Sequence, residues 1–313
     1  MTRLLDADAG GIAEAAALLR AGEAVAIPTE TVYGLAADAT NAAAVERIYE
    51  AKGRPANNPL IVHVPGAEAA ARWAGAWSED AARLAGRFWP GPLTLVVPAG
   101  EGLASNALAG GATVGLRAPD HPVALELLRA CGLPLAAPSA NRSGSLSPTL
   151  ARHVVEGLGG RIAAVLDGGP CRVGIESTVL DLASPQAPRV LRPGDISAEA
   201  IAQVLGRAVG RLAAEAPASG PLLSPGLLTR HYAPAVPLRI VAGELLGGAP
   251  GDAAVLRLGR DLPEDPQAFA SELYRRLWLA QAAGGREIWL EKPPETPEWN
   301  AVWDRLRRAV ARD

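Results

Sequence analysis

Six short segments place polar side chains where the surrounding pattern calls for apolar ones. PTETVYGL carries Thr29, Glu30 and Thr31 in a strand-like run, and KGRPANNPLIVH carries Lys52, Arg54, Asn58 and His63. TVGLRAP sets Thr113 and Arg117 among strand residues, and PSANRSGSLSPT gathers Ser139, Asn141, Ser143, Ser145 and Ser147. GIESTVL brings Glu176, Ser177 and Thr178, and VLRPG contributes Arg192. An arginine in the middle of an apolar strand is seldom buried without an anionic partner. For any one of these arginines, an internal ion pair with Glu30 or Glu176 explains the placement. For Arg54, Arg117 and Arg192 together, with Lys52 and the hydroxyl-rich loops, convergence on one anionic ligand is more economical. Guanidinium forks and serine hydroxyls match phosphate oxygens or a carboxylate.

Several of these residues have a plainer reading beside the chemical one. His63 fits equally well as a strand histidine bonded to backbone, and Tyr33 and Tyr49 read as packing residues. The hydroxyls at 143–149 are partly explained by a turn followed by a helix cap at Thr149. Lys52 stands apart. Of 30 basic residues only Lys52 and Lys292 are lysine; drift in an arginine-favouring genome explains that bias. Against it, a lysine that persists is a candidate for a site needing a compact ammonium rather than a planar fork.

Positioning these groups requires a framework of strands. Apolar spacing predicts a helix in GGIAEAAALLRAGE, a single interrupted strand through EAVAIPTETVYGLAAD, and a helix AAAVERIYEAK capped by Thr40 or Asn41 and stopped by Gly53. PLIVHV, LTLVVPA, ATVGLRAP, PLAAPSA and AAVLDGG read as strands, and STVLDL and PRVLRPG as a pair joined by ASPQA. SEDAARLAGRFW, HPVALELLRACG, TLARHVVEGLG and SAEAIAQVLGR read as helices. Strands often follow one another without a helix between them, so the fold class is α/β with a twisted mixed open sheet flanked by helices. After a Pro-, Gly- and Ala-rich stretch, a small β-β-α-β-α unit holds four of the seven tryptophans. The expected division is a catalytic domain over 1–208, a linker over 209–237 and a small Rossmann-like α/β domain over 238–313.

Composition excludes several classes. With 30 basic and 33 acidic residues the formal charge is −3, which argues against gripping nucleic acid through bulk charge. Cys131 and Cys171 are too few for a disulfide scaffold or a four-ligand zinc site. No P-loop, strand-linked GxGxxG, HExxH or GxSxG occurs, and no apolar run of about 20 residues suggests a membrane span. The expectation is a cytoplasmic protein that contacts no membrane.

In order, PTETVYGL, KGRPANNPLIVH, TVGLRAP, APSANRSGSLSPT, GIESTV and LRPG resemble the motifs of the YrdC-like L-threonylcarbamoyladenylate synthases, and SPGLLTRHYAP resembles the interdomain segment of their long two-domain form. The resemblance implies synthesis of threonylcarbamoyl-AMP from L-threonine, bicarbonate or CO₂ and ATP, with release of pyrophosphate, for tRNA threonylcarbamoyladenosine modification. It implies that Thr31, His63, Arg117 and Ser177 hold L-threonine, with Ala137 at its backbone. It implies that Arg54, Asn58, Thr113, Ser139, Ser147, Arg192 and Tyr232 hold ATP, and that Lys52 faces the phosphates, which makes Lys52 and Arg54 the catalytic pair. It further implies Mg²⁺ carried with ATP, hand-over of the product to the tRNA threonylcarbamoyl-transfer machinery, a weak RNA contact at most, and a linker acting as a lid through Tyr232. Two other readings fit a basic cavity: a non-catalytic double-stranded RNA or tRNA-binding module, and a hydrogenase-maturation carbamoyltransferase, whose cysteine-rich zinc modules this chain lacks.

Overall fold

The computed structural model describes residues 1–184, 188–211 and 231–310. The segment 212–230, which holds most of the expected linker including Ser224 to Arg230, lies outside the described residues. The first part of the chain runs β1 (Arg3–Asp6), α1 (Ala9–Arg20), β2 (Val25–Ile27), β3 (Gly34–Asp38), α2 (Ala42–Lys52) and β4 (Ile61–His63). It continues through α3 (Ala67–Trp73), α4 (Glu79–Phe88), β5 (Leu93–Pro98), β6 (Thr113–Arg117), α5 (Pro122–Cys131) and β7 (Leu135–Ala136). It closes with α6 (Ala151–Leu158), β8 (Ala164–Asp167), β9 (Thr178–Asp181), β10 (Arg189–Arg192), α7 (Ala198–Leu205) and β11 (Gly210–Arg211). These strands make one 11-stranded sheet in the order β1-β8-β2-β3-β7-β4-β6-β5-β9-β10-β11. Parallel pairs such as β4 with β6 alternate with antiparallel pairs such as β5 with β6. The sheet is therefore mixed.

The single strand expected through EAVAIPTETVYGLAAD is two strands. β2 and β3 pair antiparallel, with Ile27 opposite Gly34, and residues 28–33 form the connection between them. Thr29 makes that turn: its Oγ1 accepts from the backbone N–H groups of Thr31 and Val32 and donates to the Val32 carbonyl at 2.6 Å. A hydroxyl bonded to backbone two and three residues on is the usual competitor of a strand ladder. The polar residues of this motif therefore sit on a loop at the strand ends. Asn41 caps α2 as the alternatives allowed, but Thr149 does not cap α6; its backbone N–H donates to His153 Nδ1 instead.

The second part holds β12 (Leu238–Val241), β13 (Ala254–Leu256), α8 (Pro266–Ala282), β14 (Ile288–Glu291) and α9 (Asn300–Val310). Its three strands are parallel in the order β12-β14-β13. Asp265 caps α8, accepting from Gln267 and Ala268, and Pro266 supplies the fixed φ of the first helical position. The apolar cluster of this unit takes in Val32, Leu146, Val173 and Ile175 of the first part, together with Tyr232. Trp278 of α8 donates to the Ser147 carbonyl and stacks on His153 at 4.7 Å.

Gly174 sets how closely the two parts approach. Its φ is +76°, and a Cβ there would lie 2.5 Å from backbone atoms of Ser271 in α8. Gly174→Ala is expected to lower stability by about 2 kcal/mol or more, through the left-handed φ and the forced separation of α8. Gly157→Ala, in α6 with open space around it, should be neutral or stabilising by up to about 1 kcal/mol. Urea unfolding of both variants checks the opposite signs.

Candidate active site

One cavity brings together residues from seven separate segments. It is lined by Thr31, Arg54, His63, Arg117, Ala137, Ser139, Ser177, Arg192 and Tyr232 of the sequence-based set. Glu176 and His231 line it too, and so do Thr29, Val32, Gly34, Ile61 and Pro138. The sheet explains the convergence. His63 and Arg117 are register partners at the ends of the parallel strands β4 and β6, so their side chains share a face. Ala137 follows β7 and donates its backbone N–H to the Ile61 carbonyl. Ser177 immediately precedes β9, and its Oγ lies 2.8 Å from Thr94 Oγ1 on β5. Arg192 ends β10 and donates from Nε to the Ser177 carbonyl and from Nη2 to Ser177 Oγ.

Lys52, Asn58, Thr113 and Ser147 do not line the cavity. Lys52 ends α2 and is 2% exposed. Its Nζ donates to the carbonyls of Ser139 and Asn141 at 2.5 and 2.6 Å, so it braces the segment that carries Ser139. Asn58 braces Arg54, accepting Nη2 at its Oδ1 (2.6 Å) and Nε at its carbonyl (3.1 Å). Ser147 donates to Glu176 Oε1 at 2.5 Å. Thr113 begins the strand that Arg117 ends, four residues and about 13 Å away along β6.

The electrostatics are those of a narrow hollow in which buried cations predominate. Of the two carboxylates offered as internal partners, Glu30 pairs with Arg117 at 2.7 Å with both side chains buried. Glu176 pairs with Arg305 of α9 at 2.9 Å, a cation outside the motif set. Burial alone would raise the Glu176 carboxyl, but Arg305 and Arg192, with hydrogen bonds from Ser147 and Arg305, hold it down to about 2. Burial and the neighbouring Arg117 push His63 down to about 3. It is a neutral imidazole with one donor and one acceptor, and neither ring nitrogen has a hydrogen-bond partner among the described residues. Burial, with the charge of Arg54, also drives the Lys52 ammonium well down, while the carbonyls around it suit the charged form.

Tyr232 belongs both to the cavity and to the second part of the chain. Its ring lines the cavity and also belongs to the apolar cluster of the second part, fully buried. Its backbone is left-handed, φ +63°, a conformation an aromatic residue adopts only under surrounding constraint.

Residues 17–194 match the Sua5/YciO/YrdC family model, described as Telomere recombination, and residues 196–311 match the model described as Threonylcarbamoyl-AMP synthase, C-terminal domain. The chain belongs to the Sua5/YciO/YrdC family. Among family members, the Bacillus subtilis (strain 168) protein named Threonylcarbamoyl-AMP synthase is 52% identical over 233 residues, 74% of this chain and 67% of that protein. The Pyrococcus abyssi protein of the same name is 47% identical over 229 residues, 73% of this chain and 67% of that protein. The crystal structure of P. abyssi Sua5 complexed with L-threonine matches with a TM-score of 0.91 at 38% identity, covering 99% of this chain and 97% of that one. Full-length HypF in its phosphate- and nucleotide-bound form shares the fold alone: TM-score 0.51, 23% identity, 58% of this chain and 28% of that one.

Two expectations follow for this family site. Lys52→Arg keeps the charge but puts a larger planar group between the Ser139 and Asn141 carbonyls. Turnover should fall by ~10-fold or more, about 1.4 kcal/mol of barrier, whereas near-normal steady-state kinetics in the folded variant would mean that any cation serves there. Glu176, held below its ordinary value of 4.5, contributes stability that is fully present above that value and is lost as pH falls through about 2. The stability difference between the native chain and Glu176→Gln should therefore be on the order of 3 kcal/mol near neutrality and shrink in acid. Urea midpoints at both ends of that range measure it.

Proposed function

We propose that the chain joins L-threonine, bicarbonate or CO₂ and ATP into L-threonylcarbamoyladenylate and releases pyrophosphate. The observation that carries this is the convergence of Arg54, Arg117 and Arg192 with Thr31, His63 and Ser177 on one cavity, in a fold that matches a Sua5 complexed with L-threonine. In this reading the threonine amine nitrogen bonds to the CO₂ carbon and loses a proton, giving a carbamate. A carbamate oxygen then attacks the α-phosphorus; that O–P bond forms as the bond from the α-phosphorus to the bridging oxygen breaks, and pyrophosphate leaves. Such a displacement needs positioning and charge neutralisation more than covalent help.

Arg117, steadied by Glu30, receives the threonine carboxylate, with Thr31, His63, Ser177 and the Ala137 backbone around the amine and hydroxyl. Arg54, Arg192 and Ser139 take the phosphates, supported by Asn58, Lys52 and Ser147, and Tyr232 lies beside them; Thr113, at the far end of β6 from Arg117, stays outside this cavity. Glu176 is the one carboxylate among the lining residues, and both its oxygens are already engaged. It therefore suits no resident cation, and Mg²⁺ enters with the triphosphate. The cavity has about 40 Å³ of free volume, space for roughly three waters, and in this reading Tyr232 moves aside for nucleotide to enter and returns to exclude water. So narrow and buried a hollow supports an RNA-binding reading less well, since RNA is gripped on open faces. The product passes to the tRNA threonylcarbamoyl-transfer machinery, in the cytoplasm. Among the described residues no helix is long and apolar enough to cross a membrane.

Mass spectrometry of a reaction with ATP, L-threonine and labelled bicarbonate tests the reading. Labelled threonylcarbamoyl-AMP and pyrophosphate should appear only when all three substrates are present; ADP and orthophosphate would place the chain in another reaction class. Valine, lacking the hydroxyl, should be rejected by up to ~10⁴-fold, and serine should compete better. Valine used as well as threonine would remove the proposed hydroxyl pocket.

A further inference from the structure

Arg305 belongs to the second part of the chain, yet its side chain ends inside the first. It lies on α9, is 1% exposed, and is the bulkiest fully buried side chain among the described residues. Its Nε donates to Glu176 Oε2 at 2.9 Å, its Nη2 to the Glu176 backbone carbonyl at 3.0 Å, and its Nη1 to the Pro193 carbonyl at 2.6 Å. Those two carbonyls flank the site: Glu176 precedes Ser177, and Pro193 follows Arg192. The same guanidinium carbon sits 5.4 Å from the centre of the Tyr232 ring.

We propose that Arg305 is a positioning residue of the reaction, neutralising Glu176 and clamping the backbone beside Ser177 and Arg192, so that the second part of the chain completes the site of the first. This rests on the adenylate-forming reading above. A cavity that takes a carboxylate and a triphosphate gains nothing from an uncompensated carboxylate on its wall. Removing one member of a buried pair leaves the other charged and unpaired, which costs far more than the pair itself is worth. The groups facing Glu176 are Arg305 from α9, Tyr274 from α8 through a 3.2 Å hydrogen bond, Ser147, and Arg192 from β10, with Lys52, the neutral His231 imidazole and the Tyr232 phenol within range. With Arg305 present, the carboxylate is satisfied from the α8 and α9 side. Without it, Glu176 competes with the substrate for Arg192.

The experiment compares the full-length native chain with Arg305→Met, Arg305→Lys, Glu176→Gln and the double variant Glu176→Gln/Arg305→Met. It reads pyrophosphate release dependent on threonine and bicarbonate, with the thermal midpoint of each protein alongside. Arg305→Met is expected to lower kcat/KM by at least ~30-fold. The double variant, with no carboxylate left to neutralise, should recover at least ~10-fold of that loss, and Arg305→Lys should fall between, because an ammonium restores charge without the two-carbonyl clamp. If Arg305→Met unfolds, Arg305→Lys against Glu176→Gln/Arg305→Met carries the same comparison.

Folded Arg305→Met with kcat/KM within 2-fold of native overturns the proposal. So does a double variant as poor as the single one, which would reduce Arg305 to packing. A native chain with no threonine-dependent pyrophosphate release would instead overturn the reading of the reaction, so the two failures are separable.

Discussion

The arrangement depends on keeping positive charge fixed in a narrow hollow lined by buried side chains. Burying a cation is costly unless polar groups replace its hydration, and the economical partner, a carboxylate, would cancel the charge. Lys52 and Arg54 are held largely by carbonyl oxygens and the Asn58 amide. These supply dipoles and leave the net charge intact. Among the described residues, carboxylates pair with the buried cations of the site at two points, Glu30 beside Arg117 and Glu176 beside Arg305. Cations thus outnumber acids around the cavity, and that surplus can recognise an anion.

Carbonyls placed as solvating groups must themselves be immobile, which accounts for the way the sheet is used. The short parallel strands β4 and β6 end together, antiparallel β7 ends beside the start of β4, and the chain leaves each of them as backbone pinned by hydrogen bonds to a neighbour. The Thr29 turn and the Ser139–Asn141 segment are examples. Polar side chains then project from rigid backbone, as a site that works by prior organisation requires.

Much of this was legible in the sequence because the chemistry is local in the chain. A motif such as KGRPANNPLIVH contains both Arg54 and the Asn58 that steadies it. The helices, the mixed sheet and the small second unit followed from apolar spacing and turn residues. The break at Pro28–Tyr33 was less legible, because a Thr bonding its own backbone has the same sequence appearance as a Thr in a strand. Glu176 was offered as an internal partner for the motif arginines, but the cation it pairs with, Arg305, lies 129 residues on, beyond the reach of any local pattern. A signal for Arg305 was nevertheless present: it shares a helical face with Val302, Leu306 and Ala309, all buried, and a charged residue on such a stripe demands an acidic partner elsewhere.

The apolar cluster shared by the two parts bears on the order in which the protein is made. Val32, Leu146, Val173 and Ile175 are translated early but find their cover only when α8 and α9 arrive. At ~5–20 residues per second, the ~100 residues between β11 and the end of α9 take roughly 5–20 s to emerge. Throughout that interval the nascent first part carries an uncovered apolar patch that includes Val32 of the cavity lining. Ribosome-associated chaperones bind such patches, so slowing translation in this stretch would raise the chain's dependence on them.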